Sequence, residues 1–342
     1  MSGRRGVLSA GTFCVDFNKS IARWPAEDTS NEVLAIDRQG GGSGFNMAID
    51  LKRLDPEFPV AAMGLVGDDD LGHFLFAQCD AHGVDRAALK AEPHGATMSV
   101  DAFCVSDSGR RTHFYHQGVA AGMTPDDFDF STTTALFLHL GLPGAHRAMD
   151  RAWRGEANGW AATLRKAKRA GLMTNLELMT MPSAERLAKL GRPCLAHLDV
   201  LIVNDYEIGA LGRRPTRRAD GTTDLAEVER ALETVLAEGA MRWAVAHFPE
   251  GAAVRGRGGT RARLGSLAIP ANAVKGANGA GDAFAAGMLY ALHHGWPIEE
   301  GLRLAHAAAA ASMRAVSTTE GVAPVAECLG LADRWGLRPL AC

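Results

Sequence analysis

One stretch decides how this chain is interpreted: Gly276-Ala277-Asn278-Gly279-Ala280-Gly281-Asp282-Ala283-Phe284-Ala285-Ala286-Gly287. Small residues run directly into a segment whose apolar positions recur at helical spacing. Free backbone N–H groups at a helix start attract phosphate, and small side chains let the anion approach. Asp282 falls in the first turn, where its carboxylate would accept a proton from an attacking hydroxyl. We therefore predict Asp282 as a catalytic base beside the amides of Gly279, Ala280 and Gly281.

The helix dipole stabilises a carboxylate at this position, so we expect a low pKa for Asp282. Taken alone, the stretch fits a plainer interpretation equally well. Asp is among the commonest helix N-caps, and Gly-Ala loops make simple turns. The choice between the two therefore depends on the rest of the chain.

Working outward, short and almost continuously apolar runs predict strands that are buried on both faces. They lie at residues 7–15, 60–66, 135–140, 172–176, 200–203 and 243–247. Segments with helical spacing, such as 160–170 and 224–238, separate them. This alternation predicts an α/β fold, a mostly parallel sheet covered by helices on both faces.

Two segments break that rhythm with alternating patterns typical of antiparallel strands, and residues 106–109 carry a turn signal. The chain returns to predicted core elements after each segment, so we predict that the two segments form an insertion, a small β-sheet lid on the core. The predicted lid comprises residues 17–45 and 99–119. The predicted α/β core comprises residues 1–16, 46–98 and 120–342.

A second glycine cluster, residues 40–44, also opens a helical segment, but no dinucleotide or Walker motif is present. Gly41 and Gly42 would let a polyol approach the backbone, and Asn46 offers both a donor and an acceptor to hydroxyls. A hinge between lid and core is the alternative interpretation, and the two are compatible.

Asp16, Asn175 and Asn204 end apolar runs, so we expect them to share a cleft beyond the carboxyl ends of the strands. Asn204 and Glu207 have i, i+3 spacing, which suits a hydrated Mg²⁺ held partly through water. The alternative is an N-cap with its first-turn acid, and the local pattern favours it.

Composition excludes several classes of protein. The chain has 342 residues, 47% of them hydrophobic, and a net charge of -3, so it presents no broad basic field for nucleic acid or an anionic membrane. Six scattered cysteines form no zinc or redox pattern and are expected to be reduced. No window is apolar enough to span a membrane, and the start is too polar for a secretory signal. We therefore expect a cytoplasmic protein.

Five ordered motifs resemble the ribokinase-like carbohydrate kinases, the family of ribokinase, fructokinase and the minor bacterial phosphofructokinase. They span nearly the whole chain. They are Gly11-Thr12-Phe13-Cys14-Val15-Asp16, Gly41-Gly42-x-x-x-Asn46-x-Ala48, Gly67-Asp68-Asp69-Asp70-Leu71-Gly72, Asn204-x-x-Glu207, and Gly279-Ala280-Gly281-Asp282-Ala283-Phe284 followed by Leu304-Ala305-His306-Ala307-Ala308.

The resemblance implies a Rossmann-like core with a β-sheet lid, ATP as donor, Mg²⁺, and phosphorylation of a hydroxymethyl group on a small sugar-like acceptor. Asp282 would be the base beside an anion hole. The remaining residues divide between the two substrates. Asp16, Gly41, Gly42, Asn46 and the lid residue Arg111 would bind the acceptor, whereas Asn175, Asn204, Glu207, Asn278 and His306 would bind the nucleotide, with Glu207 holding Mg²⁺ through water.

The chain departs from the family pattern before the Gly-Ala-Gly-Asp motif. The family usually has Asp-Thr-Thr or Asp-Thr-Asn where Gly276-Ala277-Asn278 stands, and that Asp helps hold a monovalent cation in several members. The sequence therefore gives no support to potassium activation. Ser43 stands where the family commonly has a lysine in the first glycine signature. Gly141 stands where the family commonly has a polar residue at the end of the strand at 135–140.

Two alternatives to sugar phosphorylation remain open at this stage. A nucleoside kinase is favoured if Phe13, Phe45 or Tyr115 provides aromatic stacking. A non-catalytic sugar or nucleotide sensor on a kinase fold is the other. In each case exposed lid edges predict a homodimer that pairs through the lid.

Overall fold

The computed structural model describes residues 3–106 and 110–340. Its strands are β1 (Val7–Gly11), β2 (Cys14–Ile21), β3 (Val33–Gly41), β4 (Val60–Gly67), β5 (Asp85–Glu92), β6 (Ser99–Val105), β7 (Arg111–His116), β8 (Phe137–Gly141), β9 (Met173–Leu176), β10 (Val200–Asn204), β11 (Trp243–Phe248), β12 (Gly251–Gly256) and β13 (Arg261–Gly265). Its α-helices are α1 (Ser43–Leu54), α2 (Asp70–Ala81), α3 (Gly159–Arg169), α4 (Ala184–Gly191), α5 (Asp205–Gly212), α6 (Leu225–Glu238), α7 (Ala280–His293), α8 (Ile298–Ser312) and α9 (Val325–Trp335).

The main sheet has nine strands in the order β13-β12-β11-β10-β9-β8-β1-β4-β5. Its strands from β11 to β5 pair in parallel, and β12 and β13 add an antiparallel edge. Each of its faces carries a buried apolar cluster, one packed by α1, α7 and α8 and the other by α3 to α6. This architecture confirms the predicted Rossmann-like α/β fold.

The apolar run at residues 7–15 divides into two strands rather than one. β1 ends at Gly11, whose φ of 105° bends the chain, and a Cβ there would overlap the carbonyl oxygen of Gly141. β2 then begins at Cys14 in the other sheet. The expectation that Asp16 ends a core strand is therefore wrong, because Asp16 lies inside a lid strand.

The lid is a four-stranded sheet in the order β3-β2-β6-β7. Its outer pairs are antiparallel as predicted, but the central pair, β2 with β6, is parallel. A parallel pair forms there because β4, α2 and β5 intervene, so the chain re-enters the lid in the same direction. Residues 107–109 of the predicted turn lie outside the described residues, as does Cys342.

Within the described ranges, no helix is long and apolar enough to cross a membrane. The five cysteines in those ranges carry free thiols.

Candidate active site

The glycine-alanine loop leads directly into α7. Gly279 is the N-cap in a left-handed conformation, with a φ of 73°, and a Cβ there would overlap the carbonyl oxygen of Thr318. Asp282 lies in the first turn that follows. The loop therefore needs glycine at this position, and it presents the N–H groups at the start of α7 beside Asp282.

Asp282 contacts a residue that is far from it in sequence. The Asn46 side chain, in the first turn of α1, donates a hydrogen bond from Nδ2 to Oδ2 of Asp282 at 2.9 Å. The Thr318 hydroxyl donates to Oδ1 of Asn46 at 3.4 Å, and the Thr318 N–H donates to the Gln39 side chain at 3.4 Å. The structure thus joins both glycine-rich helix starts and the lid at one point.

Asp16 also faces this point from β2, where it pairs with Gln39 of β3. A Cβ on Gly41 would overlap the Asp16 carboxyl group, so the two residues are in direct contact. Burial raises the pKa of Asp16 to about 6; the hydrogen bond from the Cys14 thiol lowers it, and the negative charge of Asp282 contributes to the rise. A buried carboxyl beside open backbone suits a hydroxyl-rich ligand.

Two further polar side chains complete the site, and sequence reasoning missed both. His139 in β8 is fully buried, with Nε2 2.9 Å from Oε2 of Glu177, the residue that follows β9. The negative charge of the Glu177 carboxyl also acts on Asp282, whose pKa it raises. A histidine and an acid in neighbouring, otherwise apolar strands were the available signal, because such polar groups need partners when they are buried.

Asn175 does not lie where the sequence suggested. β9 continues to Leu176, so Asn175 sits inside the strand and is fully buried. Its Nδ2 donates to Nδ1 of His139 at 2.9 Å. The structure therefore places Asn175 behind Glu177 rather than at the edge of the cleft.

The expected low pKa of Asp282 is wrong. Burial and the neighbouring Glu177 carboxyl raise this pKa well above its ordinary value, while the bond from Asn46 acts in the opposite direction. Burial likewise raises the pKa of Glu177 to about 7. Desolvation and like charge outweigh the helix dipole because the carboxyl groups crowd together.

Asn204 and Glu207 form a capping box at the start of α5. The Asn204 side chain accepts from the Glu207 N–H at 2.9 Å, and Oε2 of Glu207 accepts from the Asn204 N–H at 3.0 Å. The Thr180 hydroxyl donates to Oε1 of Glu207 at 3.1 Å. Each Glu207 oxygen therefore already accepts one hydrogen bond, and burial raises the pKa of the group to about 7.

A cavity of about 380 Å³ opens beside the start of α7, and we call it the α7 cavity. Its walls are mainly apolar, and a few polar groups converge on it. The residues that line the cavity include Asn204, Asp205, Arg217, His247, Phe248, Pro249, Leu267, Ile269, Ala277, Ala280, Gly281, Phe284, His306, Ala309, Ala310, Met313 and Arg338. The cavity therefore reaches from the glycine-alanine loop to α8.

The two histidines of the α7 cavity flank Phe284. The ring centroids of His247 and His306 lie 4.9 and 5.1 Å from that of Phe284. Burial lowers the pKa of both imidazoles to about 4, so both are neutral near pH 7. The His306 Nε2 has no hydrogen-bond partner in the described part of the chain, which leaves it available to a ligand.

Residues 5–325 match the family model described as the pfkB family of carbohydrate kinases. The chain belongs to the pfkB family. It is a phosphotransferase that acts on a sugar.

This pfkB kinase resembles characterised relatives over almost its whole length. It is 29% identical over 305 residues to an ATP-dependent ribose-1-phosphate kinase of Halopiger xanaduensis, covering 89% of this chain and 90% of that one. It is 25% identical over 329 residues to a 5-dehydro-2-deoxygluconokinase of Geobacillus kaustophilus, covering 94% and 91%. Its fold matches that of Arabidopsis thaliana ribokinase, solved with ribose and ATP, at a TM-score of 0.77, 21% identity and coverage of 97% and 99%.

Some residues predicted for the site lie apart from its centre in the pfkB kinase. Arg111 is on the same lid face as Asp16, but it pairs opposite Cys104, about 13 Å further along the strands. Asn278 is half-buried in the glycine-alanine loop and does not line the α7 cavity. Neither residue contacts the cluster around Asp282 in the described structure.

Arg217 is a cavity residue that the sequence analysis did not single out. Its guanidinium forms a two-point ion pair with the buried Asp205, from Nε at 2.8 Å and from Nη2 at 2.7 Å. The signal for it was weak, because Arg217 is one of four arginines in residues 213–218 and only the fold shows which one lines the cavity.

Proposed function

We propose that this pfkB kinase transfers the γ-phosphoryl group of ATP to a hydroxymethyl group of a sugar or sugar derivative. The observation that carries the proposal is the Asn46–Asp282 hydrogen bond. It joins the acceptor-side glycine cluster to the start of α7, and the α7 cavity opens on the other side of that helix start. A hydroxyl and a phosphoryl group would therefore meet beside one carboxylate.

On the acceptor side, Asp16 and Asn46 would bind hydroxyls, while Gly41 and Gly42 keep the backbone open. Asp282 would accept the proton of the attacking hydroxyl. The N–H groups of residues 279–282 would stabilise the charge that develops on the transferred phosphoryl oxygens.

On the donor side, the apolar α7 cavity fits a nucleotide base. The unpartnered Nε2 of neutral His306 would bond to a base nitrogen or exocyclic amine. Nucleotide phosphates would then extend towards the amides of Ala280 and Gly281. Asn204 lies on the same wall, where its half-buried side-chain amide would meet them.

The residues fit a hydrated Mg²⁺ better than a directly bound one. Both Glu207 oxygens already accept hydrogen bonds, so their remaining lone pairs suit water molecules of a cation shell. Bound Mg²⁺ would supply charge neutralisation on the nucleotide phosphates. Asn204 and Glu207 would hold it, and the ion would lower the raised pKa of Glu207.

Arg217 would bind a donor phosphate, since its ion pair with Asp205 holds the guanidinium at the cavity. We expect Arg217→Gln to raise KM for ATP about tenfold or more and to change kcat much less, because a charge-assisted hydrogen bond is lost. Steady-state kinetics with varied ATP would measure this. Arg213→Gln is the matched control, since Arg213 is exposed in the same loop and does not line the cavity. Equal KM values for both variants would remove Arg217 from the donor site.

The function is tested by acceptor-dependent ADP release. The panel should contain ribose, ribose 1-phosphate, fructose, 5-dehydro-2-deoxygluconate and a set of nucleosides, because relatives act on two of these compounds. We expect one sugar or sugar derivative to give a phosphorylated product in equal amount to ADP. Ligand binding with no phosphorylated product from any acceptor would favour the sensor alternative.

The structure weakens one argument for a nucleoside acceptor. Phe13 and Phe45 are 0% and 3% exposed, so they pack in the core and offer no stacking face. Tyr115 is exposed on the lid. Of the three aromatic residues, only Tyr115 could therefore stack on a nucleoside base.

We also propose that the lid pairs two copies of the chain. Leu34, Ile36 and Phe114 are 54%, 62% and 53% exposed on it, and pairing of two lids would remove this apolar surface from water. Light scattering at micromolar concentration should give twice the chain mass, and Ile36→Lys should reduce it to the monomer. A monomeric wild-type protein would contradict the proposal.

A further inference from the structure

The two faces of the lid differ in chemistry. The face with Asp16 and Gln39, which we call the inner lid face, is turned towards the core, because the Gln39 side chain accepts a hydrogen bond from the Thr318 N–H. Strand pairing places further polar side chains on the inner lid face, among them Asn18, Asp37, Arg111, His113 and Tyr115. The opposite face carries three aromatic side chains that contact one another, Trp24, Phe103 and Phe114. The inner lid face therefore suits a hydrophilic ligand.

The charged groups of the inner lid face are separated by sign. Its acids, Asp16 and Asp37, lie on β2 and β3, whereas Arg111 and His113 lie on β7, the strand at the far edge of the lid. We call Arg111 and His113 the basic edge. Along the strands they lie about 13 and 7 Å beyond the row of residues that contains Asp16. A ligand that contacts both Asp16 and the basic edge must therefore be extended and have two unlike ends.

The basic edge has no acid to neutralise it. Among residues 3–106 and 110–340, neither Arg111 nor His113 forms a hydrogen bond or an ion pair through its side chain. On the opposite lid face, in contrast, Lys19 pairs with Asp101 at 2.7 Å. Burial lowers the pKa of His113, and the charge of the nearby Arg111 guanidinium lowers it as well. An anion bound between the two side chains would relieve this repulsion and supply the missing partner.

Charge on an edge strand also protects it from pairing with another strand. Protection of this kind does not require the charges to lie on one face. At this end of β7, however, the basic groups alternate with Thr112 and Phe114, which face the other way and are uncharged. Phe114 is also largely exposed, so the opposite face of the same edge stays apolar. The confinement of charge to the inner lid face favours a ligand there over edge protection.

We propose that the acceptor of this kinase is an anionic sugar derivative whose charged group, a phosphate ester or a carboxylate, binds to the basic edge while its hydroxymethyl group lies at Asp282. This inference rests on the proposed function and names its substrate class. A guanidinium binds either anion through two parallel hydrogen bonds, and the imidazole adds a further donor. The acids Asp16 and Asp282 repel an anion but accept hydrogen bonds from hydroxyls, so the two ends of the acceptor cannot exchange places.

The test compares acceptors that differ in charge: ribose 1-phosphate against ribose, with 5-dehydro-2-deoxygluconate as the carboxylate. We expect kcat/KM for one of the two anionic acceptors to exceed that for ribose at least tenfold, and the better of the two identifies the anion. Arg111→Gln should raise KM for that acceptor about tenfold or more, because a charge-assisted hydrogen bond is lost, and should change kcat and KM for ATP little. Lys19→Gln, which removes a cation from the opposite lid face, is the matched control and should leave all three values unchanged.

Arg111→Lys is the second variant. It keeps the charge but loses the two-point geometry, so its KM for the anionic acceptor should lie between those of the wild type and Arg111→Gln. A ribose kcat/KM equal to or above those of both anionic acceptors would overturn the inference, and so would an unchanged KM for the anion in Arg111→Gln. Either result leaves the proposed function intact.

Failure of the proposed function gives a different result, namely no phosphorylated product from any acceptor. Calorimetry with ribose 1-phosphate and ribose tests the basic edge in that case too, because binding does not depend on turnover. Binding of the phosphate ester that is tighter than binding of ribose, and that weakens about tenfold in Arg111→Gln, would support the basic edge. Equal binding of the two compounds, or no binding of the ester, would overturn it.

Discussion

Asp282→Asn should lower kcat by about 10²- to 10⁴-fold, the usual contribution of a positioned general base. Asn has nearly the same shape, and its side-chain oxygen can still accept the bond from Asn46. Binding of ATP should therefore survive, because the amides of the glycine-alanine loop are unchanged. Product formation measured together with calorimetric ATP binding would separate the two effects.

The thermal stability of Asp282→Asn shows that its expected loss of activity does not come from unfolding. The folded-state pKa of Asp282 lies well above its ordinary value near 3.8, so ionising it costs stability as the pH rises above about 4. Asp282→Asn removes that cost, and its Tm should exceed that of the wild type at pH 8 and approach it at pH 5. Asp70→Asn, an exposed acid in the first turn of α2, is the matched control and should change neither kcat nor Tm appreciably. Turnover of Asp282→Asn within tenfold of the wild type would contradict the role of Asp282.

Local sequence patterns predicted the strands and helix starts whose formation depends on residues that are close together in the chain. Buried parallel strands are continuously apolar, and β4, β10 and β11 lie at the runs read from the sequence. The glycine-rich helix starts carry their own signal, because they need positive φ and close approach at Gly42 and Gly279.

The arrangement of His139, Asn175 and Glu177 could not be predicted in this way, because it depends on which strands are neighbours. His139 and Asn175 face each other only because β8 and β9 pair in that register. Glu177 follows a short strand and belongs to no motif. A local argument from the helix dipole likewise missed the raised pKa of Asp282, since that shift comes from burial and from Glu177.

The division of the apolar run at residues 7–15 into β1 and β2 could not be predicted from local patterns either. Both halves are apolar and buried, so periodicity gives no reason to end a strand at Gly11. The break comes from backbone geometry, as Gly11 approaches Gly141 on the neighbouring strand. Asp16 consequently belongs to the lid, and the proposed acceptor site lies between the two sheets.

Gly279→Ala should lower kcat/KM by about 10²-fold, comparable to the loss of one anion-stabilising donor. An alanine at a φ of 73° is strained, and its Cβ would also overlap the Thr318 carbonyl oxygen. Thr318 cannot retreat freely, because it bonds to Gln39 and Asn46. The loop must therefore shift, which displaces the amides of Ala280 and Gly281 and lowers Tm by several degrees.

Gly295→Ala separates the two causes of that loss. Gly295 has a similar φ of 68° but no heavy atom within 4 Å of the added Cβ, so its variant suffers strain without overlap. We expect Gly295→Ala to lower Tm slightly and to leave kcat/KM unchanged. If Gly279→Ala lost no more stability than this control and kept its turnover, the packing of the loop against Thr318 would not be what positions the amides. The phosphoryl group would then depend on other donors, and the arrangement of the α7 N-terminus would no longer explain the transfer.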